Sequence, residues 1–187
     1  MKNIFAVVFI ALLLVSSVAF SQPNAYTTKD MNLSAGVGIG MYGIYGSSST
    51  PPIFVAFDAA VPSISPKVSL GGIVAYSGSS DDFGYGKWSY TYIVIAARGD
   101  YHFLENNQKI DAYGGLGLGY TIVSSSVTWN NATYQNLFGG YYSASASYFF
   151  YDFHVGGRYY FSPKFGVMAE LGYGVGFLRL GVTYKLN

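Results

Sequence analysis

Arg98/Asp100, Asp152/Arg158 and Arg179/Lys185 are three pairs of charges, each separated by an even number of positions. In each stretch the alternate positions are apolar: Ile93, Ile95, Ala97 and Tyr101; Phe149, Tyr151, Phe153, Val155 and Tyr159; Leu178, Leu180, Val182, Tyr184 and Leu186. Side chains of a strand point alternately to its two faces. Each stretch therefore has one greasy face and one face that carries its charges. A helix would scatter the same residues around its axis. The pattern demands sheet.

The same period recurs along the chain, broken by turn chemistry rather than by any sustained helical repeat. Strands are expected at 32–45, 53–61, 67–77, 88–103, 109–124 and 148–160, followed by a closing hairpin from Phe165 to Asn187. That makes eight. Tight turns are expected at 62–66, 104–108 and 161–164, and longer loops at 46–52, 78–87 and 125–147. Nine charges fall inside these strands: Asp58, Arg98, Asp100, Asp111, Asp152, Arg158, Glu170, Arg179 and Lys185. All nine lie opposite the apolar set.

Composition decides which way the faces point. Charged residues make up only 10% of the chain and apolar residues 51%, against roughly 25% charged in soluble domains. The charged face is otherwise small, dominated by Gly, Ala and Ser, whereas the apolar face carries Leu, Ile, Phe and Tyr. An eight-stranded interior is narrow, just filled by side chains. Small and polar residues suit it, and the large apolar set then faces lipid. Placed at the bilayer midplane on that outer face, an Arg or Lys costs about 2–4 kcal/mol, which explains why charges avoid it. Aromatics gather near strand ends: Tyr101, Phe103, Tyr159, Phe161, Phe165 and Tyr184 at one end, Tyr76, Trp88, Phe149, Tyr151 and Tyr173 at the other. Interfacial girdles have this form. The expected fold is all-β: an eight-stranded antiparallel up-and-down transmembrane β-barrel.

Residues 1–21 read as a signal peptide, with Lys2, an apolar run from Ile4 to Val15, and small Ala19 and Ser21 before Gln22. The barrel domain is expected over 22–187. Removing Lys2 leaves nine Lys+Arg against nine Asp+Glu, a net charge of zero. With no basic surface, no nucleic-acid partner is expected. There is no Cys, which excludes disulfides and thiolate metal sites.

Signal, strands and the motif Phe161-Ser-Pro-Lys-Phe-Gly-Val-Met-Ala-Glu-Leu-Gly-Tyr-Gly174 resemble the small outer-membrane β-barrel family of Gram-negative bacteria, porin-like barrels of the OmpA/OmpX type. The resemblance implies residence in the cell outer membrane, contact with its lipid, and handling by the barrel assembly machinery. Members end in an aromatic residue, whereas this chain ends Tyr184-Lys-Leu-Asn187. No periplasmic domain is expected after the barrel.

For chemistry, the nine lumen charges, five acids and four bases, are expected to form a structural ion-pair network, since buried ions persist only when paired. A lipid-modifying enzyme would need a His with a Ser and an acid near the outer rim. His102 belongs near a tight turn and His154 faces the lumen in mid-strand, so no catalytic residue and no cofactor or metal is expected. The runs Gly36–Gly40 and Gly114–Gly119 lack the helix that a phosphate loop requires. A possible extracellular partner is assigned to loop 125–147, with Trp129, Tyr134, Phe138, Tyr141 and Tyr142. The expected role is non-enzymatic, structural or loop-mediated binding, the lumen too narrow for a general porin. An enzyme acting on outer-membrane lipid and a secreted soluble ligand-binding barrel are the alternatives. Leu180→Arg is expected to impair assembly far more than Thr183→Arg.

Overall fold

A computed structural model describes residues 24–41, 48–104, 106–138 and 143–187. The expected signal peptide, residues 42–47, residue 105 and residues 139–142, with Tyr141 and Tyr142, lie outside the described residues. The elements are β1 (Met31–Ile39), β2 (Ser48–Ala60), β3 (Val68–Asp82), β4 (Gly86–His102), β5 (Ile110–Trp129), α1 (Ala132–Phe138), β6 (Ser143–Tyr160), β7 (Phe165–Tyr173) and β8 (Leu178–Lys185). Each strand pairs antiparallel with its neighbour in sequence, and β8 pairs with β1 from Asn32↔Lys185 to Ile39↔Leu178, which closes the barrel. Closure satisfies the ladder with no edge left in hydrocarbon.

Facing follows the sequence period. Leu33, Val37, Ile53, Val55, Leu116, Leu118, Phe153, Val155, Leu180 and Val182 are exposed on the outside. Asn32, Ser34, Asp58, Ser69, Arg98, Asp111, Arg158 and Thr183 are buried within. Three residues depart from the expected facing. Trp88 stacks on Tyr90, on the inward side of β4. Met41, just past the end of β1, packs against the interior apolar cluster. Phe177 lies outside β8 and is exposed, its ring against the Gly40 backbone. Met41 and Phe177 stand beyond strand ends, where the pleat no longer dictates direction, whereas Trp88 keeps the inward parity of Arg98 and Asp100.

The wall has uneven height. β2 to β6 run for 13 to 20 residues, whereas β1, β7 and β8 have 8 or 9. The expected loop 78–87 is mostly strand, paired as far as Asp82↔Lys87, and leaves a tight turn at 83–85. Likewise 125–129 and 143–147 prolong β5 and β6, with α1 in the connection. Serine and glycine there gave no apolar alternation, because both faces of these extensions lie beyond the greasy band. Pairing of β6 with β7 begins only at Phe153↔Tyr173.

Candidate functional site

The lumen buries every strand charge singled out from the sequence, and all but Lys185 fall in two linked clusters. Nearer the rim that carries both termini, Arg158 of β6 bridges Asp58 at 2.5 Å and Asp111 at 3.3 Å. Asn32 donates to Asp58 at 3.2 Å, and the Arg158 guanidinium lies 4.5 Å from the centre of the Tyr113 ring. Further in, Arg98 contacts Asp100 at 2.9 Å and Glu170 at 2.8 Å. Arg179 spans Glu170 at 2.9 Å and Asp152 at 3.0 Å. Tyr113 donates its hydroxyl to Glu170 at 2.8 Å. Glu170 and Arg179 are directly opposed in the β7–β8 ladder, so that bond follows from register alone.

His154 sits between two carboxylates, its Nδ1 2.5 Å from Asp152 and its Nε2 2.8 Å from Asp100. Carboxylates only accept, so both bonds require both ring nitrogens to carry protons. Arg98 Nη2 also stands 2.8 Å from His154 Nε2. With that nitrogen protonated, this approach is a contact between two donors rather than a hydrogen bond. Glycine makes the room: a Cβ on Gly115 would meet Asp100 and stand 2.7 Å from His154 Nε2. Gly174, at φ +129°, admits Asp152 where a Cβ would collide with its carboxylate.

Lys185 departs from the expected set of partners. It binds Asp30 at 2.7 Å and the Asn24 carbonyl at 3.0 Å, both in the lead-in that precedes β1. That segment folds into the mouth of the barrel. Ala25 N–H donates to Asn107, Asp30 accepts from Thr27, and Tyr26 stacks on His102 with ring centres 3.6 Å apart. Burial, followed by the fields of Asp111, Asp30 and Asp58, pushes the Tyr26 phenol up to about 12. Asn187, whose place at the end of the chain broke the aromatic pattern, accepts from Met31 N–H at 3.1 Å and donates to the Lys29 carbonyl. It ties the last strand to the lead-in of the first.

Beneath Tyr26 lies an arrangement the sequence did not disclose. His102 Nδ1 is 2.7 Å from Asp111, and Ser69 Oγ is 3.0 Å from His102 Nε2. With Asp111 accepting from Nδ1, the tautomer leaves Nε2 to accept the serine proton, the geometry of a nucleophilic triad. His102 stands near a tight turn as the sequence placed it, but its serine and carboxylate neighbours were not anticipated. The strands bring together positions 69, 102 and 111 through the β3–β4 and β4–β5 ladders, and no spacing in the sequence signals that. Ser69 and Asp111 are completely buried and His102 is 1% exposed. A space of about 160 Å³ beside His102 is lined by Tyr26, Thr27, Lys67 and Asn106. Among the described residues no group of three His or acidic side chains is set to hold a metal ion.

Towards the opposite rim the lumen changes character. After Asp58 on β2, Arg98 on β4 and Asp152 on β6, the next inward residues include Phe54, Val94 and Phe150. These join Ile73, Ala75, Ala96, Met168 and Val175 in one apolar cluster. Above it opens a cavity of about 580 Å³, lined by Met41, Tyr92, Thr121, Val123, Tyr148 and Phe150 among others.

A closed, up-and-down eight-stranded barrel with apolar exterior and ionic interior defines a membrane-spanning β-barrel of the bacterial outer membrane. The chain belongs to the outer membrane protein beta-barrel domain family, whose model matches residues 10–184. No curated protein matches it by sequence. Among solved structures it is similar to Ail, the attachment invasion locus protein of Yersinia pestis, in complex with the heparin analogue sucrose octasulfate. That similarity has 14% identity and a TM-score of 0.53, covering 86% of this chain and 99% of that one. It is also similar to the N-terminal β-barrel domain of Pseudomonas aeruginosa OprF, with 15% identity, a TM-score of 0.48, and 86% and 100% of the two chains covered.

Proposed function

We propose that this barrel is a non-enzymatic envelope protein, a rigid plug-filled staple that presents its long strands and α1 to the outside. The observation that carries this reading is the filled lumen: an ionic network across the terminal half and an apolar cluster in series with it. The cluster meets hydrated ions with apolar side chains, and the charges of the ionic half are taken up in pairs. Short turns with both termini face the periplasm in such barrels, which places 83–85 and α1 outside. Described charges on that rim are Asp81, Asp82 and Lys87, whereas Tyr85, Trp129, Asn130, Asn131 and Gln135 are neutral. This surface favours a neutral partner recognised through aromatic and amide groups over a polyanion. Folding through the barrel assembly machinery belongs to the same reading.

Planar-bilayer recording tests the closed lumen. The purified protein should insert without stepwise conductance; defined single-channel steps would overturn it.

Ser69, His102 and Asp111 favour a second reading, a hydrolase masked by its lead-in. It is the weaker of the two: the nucleophile is sealed and its strand N–H groups are engaged in the ladder, leaving no donors for an oxyanion. A fluorophosphonate probe should leave both the native protein and its Tyr26→Ala variant unlabelled. Labelling at Ser69 in either would establish the hydrolase.

A further inference from the structure

Three strands that start from the rim carrying both termini begin in the same way. Lys67, Lys109 and Lys164 each stand one residue before β3, β5 and β7 respectively. Each lysine carbonyl accepts a bond from the neighbouring strand, from the N–H of His102, Tyr160 and Lys185 in turn, all at 2.8 Å. The next rung is in each case an outward pair that includes a tyrosine: Val68↔Tyr101, Ile110↔Tyr159 and Phe165↔Tyr184. The ladder thus repeats one arrangement, a tyrosine at the edge of the greasy band and a lysine one step, roughly 3.4 Å, beyond it. β1 varies it. There the Asp30 carbonyl takes the bond from Ala60 N–H at 2.9 Å, its carboxylate is held by Lys185, and exposed Lys29 stands one residue further out.

Charge separates the two rims. With Asp30 and Lys185 paired, the side chains of the lead-in and the three tight turns carry four lysines against Glu105, a net charge of +3 (4 − 1). The opposite rim carries Lys87 against Asp81 and Asp82, a net charge of −1 (1 − 2). Interfacial tyrosines mark the boundary between headgroups and acyl chains, so a lysine one step beyond them stands at the depth of the lipid phosphates. Lys109 and Lys164 are exposed there. The Lys164 ammonium lies 6.0 Å from the centre of the outward Tyr184 ring, which packs on Phe165 at 4.7 Å. Lys67 is half-buried and lines the space beside His102, so it adds to the field rather than to the contact surface.

We infer that Lys29, Lys109 and Lys164 form an interaction surface for anionic phospholipid headgroups in the leaflet at this rim. Selection is by net charge: a phosphatidylglycerol headgroup keeps the negative charge of its phosphate, whereas choline cancels it. A soluble polyanion would meet the same cations. The repeat of lysine beside tyrosine follows the membrane boundary around the wall, however, and that placement fits lipid. The inference goes beyond the envelope role and depends only on the barrel lying in the membrane.

The test uses the folded protein, delipidated in detergent and titrated with phosphatidylglycerol or phosphatidylcholine of the same acyl composition under native mass spectrometry. Detergent offers lipid to both rims alike, so the outcome does not depend on which rim faces the periplasm. The first phosphatidylglycerol should bind about fivefold more tightly than phosphatidylcholine, the worth of one lysine at an anionic surface. Lys29→Gln, Lys109→Gln and Lys164→Gln together should abolish that preference, and the same three positions changed to Arg should keep it. Lys87→Gln on the opposite rim should leave it unchanged. A heat-dependent gel shift confirms that each variant is folded. Equal binding of the two lipids by the native protein would overturn the inference, as would a preference that survives in the folded triple Gln variant or is lost in Lys87→Gln. Loss of the preference in millimolar inorganic phosphate at constant ionic strength would assign the lysines to a soluble anion and overturn the assignment to lipid.

Discussion

Arg158 is the residue on which the lower network turns, since it joins Asp58 to Asp111. Replacing one member of a buried ionic set leaves the others charged and unpaired, at a cost of about 3–5 kcal/mol. Arg158→Ala should therefore lower stability by about that amount in urea unfolding from detergent, and Asp58→Asn combined with Arg158→Met should recover part of it. Tyr26 gives a pH signature. Its phenol keeps its proton to about 12, above the ordinary value of 10.0, so between those limits the folded chain binds more protons than the unfolded one. The stabilisation it contributes is complete below pH 10 and is lost as pH rises through about 12. A 295 nm titration of the native protein minus that of Tyr26→Phe should show this midpoint. A midpoint near 10 would mean that Tyr26 is not held among the carboxylates at the mouth of the barrel. The inward parity of Asn32, Ser69 and Tyr113 was readable from the strand period. Their partners were not, because a partner belongs to a neighbouring strand at a register that no single strand specifies.

At the level of the strand, depth matters as much as face. Leu118 and Ser124 share the outward period of β5, one within the greasy band and the other beyond the aromatics. Leu118→Arg should reduce assembly, with a penalty of about 2–4 kcal/mol near the midplane, whereas Ser124→Arg should cost little. The shift between heated and unheated forms on a gel, compared across the two, measures it; equal tolerance would place the membrane elsewhere. The pairing of Leu180→Arg with Thr183→Arg suggested by the sequence is a poorer contrast. Thr183 is buried and bonded to Ser34 at 3.0 Å, so an arginine there meets a filled lumen rather than a roomy one. The strands expected too short share one reason, whereas β1, expected to reach 45, stops at Ile39 before Gly40 at φ +68°. Outside the membrane neither face needs to be apolar, so 78–82, 125–129 and 143–147 lose alternation while keeping their hydrogen bonds.

For the molecule as a whole, orientation is the property that function depends on. The chain has no cysteine of its own, so single cysteines report cleanly. Leu137→Cys on α1 should react with an impermeant maleimide on intact cells, and Ile64→Cys in the turn between β2 and β3 should react only after the outer membrane is opened. The reverse pattern would invert the barrel. By itself the sequence determined the strand period, the number of strands and which face of each meets lipid, because these are local consequences of the pleat and of the cost of charge in hydrocarbon. Only the tertiary structure decided what the charges bind. Closure of β8 on β1 brings Lys185 to Asp30, and the curl of β3 to β5 sets Ser69 and Asp111 on either side of His102. Those contacts join residues up to 155 positions apart (185 − 30). They depend on the register and stagger of a closed sheet, which alternation within a strand does not encode.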